Sequence, residues 1–285
     1  YEKVNLYDTL RAIETQNPSS AMLTNCWQTV DGIQPQMLNF IENHDEQRFA
    51  STFYAGDPWR VVPSLVVSTM MSTGPMMIYF GQELGEPASD AEGFSGHDGR
   101  TTIFDYWSLS CIRRWLNLGK CHGPLTDSEL RLRSIYSRIL NMANSEPAIA
   151  EGAFFDLMYV NYENPGFNPH RHYAFLRSCD DDLLLIAVNF SDSDADMSIN
   201  IPQHAFDFLD IPEGTDQNAR ELLSGAFEAK QLSTTMPFVT RVPAHGAVIW
   251  KISRERLSAP VSGSAATKKA AKPKSIKNKK NQSNK

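Results

Sequence analysis

Two hydrophobic patterns divide the chain. Up to about residue 143, short apolar runs alternate with amphipathic stretches. The runs at 37–41 and 76–80 have strand length, and each ends at once in polar residues, Glu42-Asn43-His44-Asp45 and Gly81-Gln82-Glu83. Ala21, Met22, Leu23, Cys26, Trp27 and Val30 recur with an approximate 3.6-residue period, which predicts a helix over 18–30 that stops at Asp31-Gly32. Asp57-Pro58-Trp59 reads as an N-cap with proline in the first turn, opening a helix to about Met71. Gly74-Pro75 breaks it, and a further amphipathic helix is expected over 127–143. Residues 1–13 read as a strand-like start that continues as a helix. This alternation predicts an α/β class with parallel strands. Apolar strands that end in polar residues are what a (β/α) barrel produces, with its chemistry at their carboxyl ends.

Beyond Asn144-Ser145-Glu146-Pro147 the pattern changes. Stretches rich in β-formers at 154–162, 173–178, 183–190, 197–201, 238–242 and 247–252 alternate with turn signals, which predicts an all-β antiparallel sheet or sandwich. Asp180-Asp181-Asp182 is placed as a hairpin turn between two of them. Residues 254–285 are poor in apolar side chains and rich in Lys, Ser, Ala and Asn. Such a segment cannot offset the entropy of ordering, and a disordered tail is expected. The organisation expected is a barrel portion over 1–146, a β-sandwich over 147–253 and the Lys-rich tail.

Composition narrows the classes. With 285 residues, 41% of them hydrophobic, the chain has material for a sizeable core and is neither wholly disordered nor collagen-like. No apolar run approaches the ~18 residues of a membrane span, so no membrane partner is expected. The net charge of −6 is unevenly distributed: residues 267–285 hold eight lysines and no acid, and removing that +8 leaves −14 for residues 1–266. An acidic body argues against nucleic acid as a partner. Cys26, Cys111, Cys121 and Cys179 form no C-x-x-C, so free thiols are expected rather than a zinc site or a disulfide framework. They leave the redox compartment open.

The segment Phe40-Ile41-Glu42-Asn43-His44-Asp45-Glu46-Gln47-Arg48 carries the chemistry. It brings a carboxylate, an imidazole and a guanidinium together at a strand end. Asp45 is suited to holding sugar hydroxyls or a developing positive charge, and His44 to donating to a hydroxyl. The same residues also fit a polar loop held by a salt bridge.

Residues 40–45 resemble the F-x-x-N-H-D signature at the end of barrel strand seven in the α-amylase superfamily, family 13 of the glycoside hydrolases. Gly74-Pro75-Met76-Met77-Ile78-Tyr79-Phe80-Gly81-Gln82-Glu83 resembles that family's strand eight, G-x-P-x-I-Y-Y-G-x-E. The loop at 93–107 is similar to one in bacterial α-amylase-like members. The resemblance covers about residues 1–253. It implies the C-terminal part of a (β/α)8 TIM barrel, strands six to eight, followed by a β-sandwich. It implies retaining cleavage of α-glucosidic bonds in starch-like glucans, with an α-glucan oligosaccharide or polysaccharide as partner. Asp45 would be the catalytic carboxylate that stabilises the transition state. His44 would bind sugar; Asn43 and Arg48 are weaker carry-overs that would either bind sugar or only orient Asp45, and Phe94 is a candidate platform for binding.

The departure is large. Retaining glycosidases need two carboxyl groups about 5 Å apart. The family's G-x-R-x-D nucleophile segment, its acid/base Glu segment and its D-x-x-x-N-H region do not occur here. The first five strands are expected upstream, and this chain alone is expected not to hydrolyse glucan. Alternatives are a non-catalytic glucan-binding or interaction protein built on the same fold, and an α-glucan transferase of branching-enzyme type. No cofactor is evident; calcium is possible in a complete family member, with its usual ligands upstream.

Other residues have plainer readings. Glu83 is expected to be structural, pairing with Arg48 or Arg100, although a hydrolase built from Asp45 with Glu83, Glu42, Glu46 or Glu86 is conceivable. Trp59 is expected in the core. Tyr54, Phe94, Tyr106 and Trp107 are possible sugar platforms. His170-Arg171-His172 reads as a solvated strand rather than a metal pair. Asp192, Asp194 and Asp196 read as a polar turn rather than a calcium loop.

Overall fold

The computed structural model describes residues 1–89, 96–104, 109–116 and 123–254. Phe94, Tyr106, Trp107, Cys121 and the Lys-rich tail lie outside these described residues.

The first part is mostly helical. It runs through α1 (Asp8–Thr15), α2 (Met22–Thr29), α3 (Val61–Met70), α4 (Ser110–Trp115) and α5 (Asp127–Ser145), and a short α6 (Pro147–Ala150) follows. The expected strand-like start is instead a π-helical turn, Lys3–Tyr7, because the buried Glu2 carboxylate accepts the Leu6 N–H. Asp57 caps as its sequence predicts: its side chain accepts the Trp59 N–H at 2.9 Å, one 3-10 turn follows, and α3 continues to Met70. α3 is buried almost all round and packs between α5 and the strands of the second part. α5 opens on a capping box between Thr126 and Glu129. It buries Leu132, Tyr136, Ile139 and Met142, the i, i+4, i+3 spacing of one helix face. Trp59 packs against the core with its indole N–H on the Ser128 hydroxyl.

The two expected buried strands are present only as one parallel bridge, Asn39 with Met76. Asn39 donates to Pro75 O at 2.9 Å and Met77 donates to Asn39 O at 2.8 Å, while Glu2 donates to Leu38 O. Pairing stops there because local side chains take the next amides. Gln82 Oε1 accepts the Tyr79 N–H, and Asn43 Oδ1 accepts the Asp45 N–H.

The second part is antiparallel. It contains β1 (Ala153–Asp156), β2 (His172–Cys179), β3 (Asp182–Asn189), β4 (Ala195–Ile199), helix α7 (Gln203–Leu209), β5 (Gly214–Glu221), β6 (Phe227–Leu232), β7 (Phe238–Val242) and β8 (Gly246–Ser253). Six strands form one sheet in the order β1-β2-β3-β8-β5-β6, and β4 pairs with β7. β2 and β3 join at Asp180-Asp181, with Cys179 opposite Asp182. β5, β6 and α7 carry no marked apolar run and are absent from the expected strand set. β5 buries only Asp216, Ala219 and Glu221, between the half-buried or exposed Thr215, Gln217, Asn218 and Arg220.

One contiguous apolar core runs through both parts, from Leu6 and Leu10 to Ile249 and Ile252. Two buried charges bind them further. Arg177 on β2 donates to the carbonyls of Ala148, Ile149 and Met71, and burial pushes its pKa down to about 10. Asp156 accepts from Thr24, Trp27 and Tyr173 at 2.7–2.9 Å, which ties α2 to β1 and β2.

Candidate active site

The parallel bridge sends two chain segments out side by side, one to Asn43-His44-Asp45 and the other to Gly81-Gln82-Glu83. Asn43 is buried, and its Oδ1 accepts the N–H groups of Asp45 at 2.8 Å and Glu46 at 3.0 Å. That Asx turn reverses the chain tightly. It leaves His44 and Asp45 outermost, with side chains 42% and 68% exposed and Nε2 to Oδ2 at 3.4 Å.

The support beneath is charged and dry. Arg48 pairs with Glu42 at 2.9 Å, and both side chains are essentially inaccessible. The Glu42 carboxylate also accepts the Phe49 N–H, and Arg48 Nε donates to Thr101 Oγ1. The guanidinium lies 4.1 Å from the Tyr79 ring centroid and 5.0 Å from that of Phe80. Burial pushes the Glu42 carboxyl up, and Arg48 partly opposes it. Such a pair contributes little net stability and holds one conformation of the 42–49 turn.

A second segment closes over this turn. Arg48 N–H donates to Gly99 O at 2.7 Å, and Arg100 Nε donates to Asp45 O at 2.7 Å. Asp98 holds Arg100 through both its side chain and its N–H. Gly99 sits at φ +78°, and a Cβ there would lie 2.3 Å from Ser51 Oγ, so the close approach requires glycine.

These positions revise several expectations. Arg48 is wholly buried and Asn43 nearly so: Asn43 Oδ1 is spent on the turn, and the Arg48 guanidinium on Glu42, Thr101 and the Tyr79 ring. Asn43 holds the Asp45 backbone directly, whereas Arg48 fixes the turn through Glu42. Glu83 pairs with neither expected arginine: Arg48 takes Glu42, and Arg100 takes Asp98. Of the other nearby carboxylates, Glu42 is locked on Arg48. Glu46 accepts from Tyr7 and pairs with Lys3. Glu86 is buried and accepts the Cys111 thiol at 2.9 Å. The role of Arg100 was not visible in the sequence. Its partner is a main-chain carbonyl, which no side-chain motif encodes.

His172 is not on a solvated strand. It is buried in β2, its Nδ1 accepts the Asn168 N–H at 3.1 Å, and burial pushes its pKa down to about 4. Asp192 faces Arg60 and His245, and Asp194 faces Arg241 and the Ala244 N–H. Among the described residues no group of three or more His, Cys, Asp or Glu is placed to hold a metal. Among them, too, no helix is long and apolar enough to cross a membrane.

No family model matches the chain. The oligo-1,6-glucosidase IMA5 of Saccharomyces cerevisiae is 39% identical over 67 residues, which are 22% of this chain and 10% of the glucosidase. An Anoxybacillus α-amylase structure superimposes with a TM-score of 0.59 at 16% identity, over 88% of this chain and 46% of the amylase. AmyP, solved in complex with maltose, superimposes with a TM-score of 0.62 at 15% identity, over 92% of this chain and 50% of AmyP. The chain thus spans about half the length of these solved structures and a tenth of the glucosidase. The chain shares its fold with the Anoxybacillus α-amylase and AmyP, over the half of those structures that it covers.

Proposed function

We propose that this chain forms the C-terminal portion of the catalytic barrel, with the following β-sandwich, of a retaining glycoside hydrolase of α-amylase type. Its substrate would be an α-glucosidic bond of a starch-like glucan. One observation carries the reading: the Asx turn of Asn43, fixed by the buried Glu42–Arg48 pair, presents Asp45 and His44 together to solvent. AmyP binds maltose on the same fold. In this reading Asp45 accepts hydrogen bonds from sugar hydroxyls, and its charge opposes the positive charge that builds on the anomeric carbon. His44 donates to a neighbouring hydroxyl. The nucleophile and the proton donor of a retaining mechanism would come from segments this sequence does not contain.

A non-catalytic glucan-binding role for the chain alone is the second reading, favoured by the engagement of Glu42, Glu46 and Glu86 elsewhere. Titration of the purified chain with maltotriose tests the first step of either. Saturable binding that Asp45→Asn and His44→Ala each weaken about tenfold supports a sugar site at Asp45. Binding indifferent to both substitutions sinks it. Release of reducing sugar from starch by this chain alone would overturn the assignment of nucleophile and acid to other segments.

A further inference from the structure

A cleft of about 640 Å3, lined by none of the residues around Asp45, lies between α2 and the start of the antiparallel part. Its size falls in the range of small-ligand sites. Trp27 and Gln28 of α2, with Asp31 just beyond, line one side, and Phe155, Tyr159 and Phe208 line the other. The second wall is a ring cluster. Phe155 is buried, with Tyr159 at 6.4 Å and Phe208 at 5.9 Å between centroids. The outer two rings stay in water, Tyr159 at 50% and Phe208 at 59% exposure. Large aromatic surfaces left open beside a concavity mark binding sites more often than chance.

The opposite wall is rigid. The Trp27 indole N–H is bonded to the buried Asp156, which also holds Thr24 and Tyr173, so the ring cannot turn without losing its hydrogen bond to that shared carboxylate. Polar groups lie at the rim: Gln28 is exposed, and the exposed Asp31 carboxylate accepts from Gln34 at 3.1 Å. Flat rings facing a cleft, with an amide and a carboxylate beside them, suit a ligand whose faces are C–H and whose edges are hydroxyl. A pyranose oligosaccharide has that surface. A wholly apolar ligand would make no use of Gln28 and Asp31 at the rim.

We infer that this cleft is a second α-glucan-binding site, separate from Asp45, in which Tyr159 and Phe208 stack on sugar rings and Gln28 and Asp31 hold hydroxyls. The identity of the sugar rests on the proposed function; the chemistry of the cleft does not. Such a site would hold a long glucan on the surface while another part of it occupies the Asp45 mouth.

The test is a titration of the full chain with maltotriose, followed by NMR at the Trp27 indole N–H and the His44 ring. The expected result is a saturable shift at Trp27. A Tyr159→Ala/Phe208→Ala variant should weaken that shift about tenfold with an unchanged melting temperature, and Asp45→Asn should leave it alone. A shift at His44 with none at Trp27 overturns the cleft and leaves the Asp45 reading standing. A shift at Trp27 with none at His44 supports the cleft and sinks the Asp45 reading. Silence at both through the millimolar range overturns both. A Trp27 shift that survives the double variant also overturns the stacking role.

Discussion

The Arg100 guanidinium donates Nε–H to the main-chain carbonyl of Asp45 at 2.7 Å, across 55 residues of sequence. The bond fixes the backbone of Asp45 and does not engage its carboxylate, which lies beside His44. Arg100 is itself held by Asp98, so the 98–101 segment sets where that carboxylate points.

Arg100→Met is therefore expected to weaken maltotriose binding by about 5–20-fold, the loss of one charge-assisted hydrogen bond acting through position. The melting temperature should shift little, since Arg100 is partly exposed. Isothermal titration beside a thermal melt separates the two effects. Equal binding by the variant would remove Arg100 from the site.

Breaking the buried pair should cost stability first. Arg48→Met leaves the Glu42 carboxylate buried without its cation, and a loss of about 3–5 kcal/mol is expected. Glu42→Leu with Arg48→Met should cost less than the two single changes together, since no charge is then stranded. Urea unfolding of all three variants gives the comparison.

The pH dependence of stability should carry a contribution from His172. Burial holds its folded pKa at about 4, below the ordinary value of 6.5, so the neutral ring is the form the fold prefers. The unfolded chain takes up that proton first as pH falls. The stabilising contribution is thus complete above about pH 6.5 and is lost as pH falls through 6 and 5 toward 4, to a limit of about 3 kcal/mol. His172→Gln should flatten this part of the curve. Urea unfolding at pH 7, 5.5 and 4.5, with parallel curves for both proteins, would exclude the assignment.

Thiol labelling should rank the described cysteines. Burial and the adjacent Glu86 both push the Cys111 thiol up, and Cys26 is raised to about 11 by burial. Neither should react with iodoacetamide in the native chain at pH 8, while Cys179, which is half-buried, should react first. Peptide mapping by mass spectrometry reads the order. Native labelling of Cys111 would mean that the contact with Glu86 is not maintained.

Much of the fold was legible because its signals are local. The Asp57 cap, the amphipathic period at 127–143 and the apolar runs of β2, β3 and β8 are each set by residues close together in the chain. β5 and β6 were not legible. They bury little, and their polar residues are strands only because β8 supplies a neighbour to β5 and β5 in turn supplies one to β6. His172 looked solvated because its surroundings, Phe167 and the Asn168 N–H, come from the fold rather than from the next residue along β2.

The site divides the same way. Residue types and order alone determined that Asn43, His44 and Asp45 meet at the end of a buried segment, since adjacency in sequence becomes adjacency in space at a turn. Only the tertiary structure decided which of the surrounding charges stay available. Glu42, Glu46, Glu86 and Arg48 differ little as sequence. They are separated by burial and by partners up to 53 residues away, such as Thr101 on Arg48. A charge in water keeps its freedom, whereas a charge taken out of water must find a counter-charge or a hydrogen bond, and that choice is made by packing.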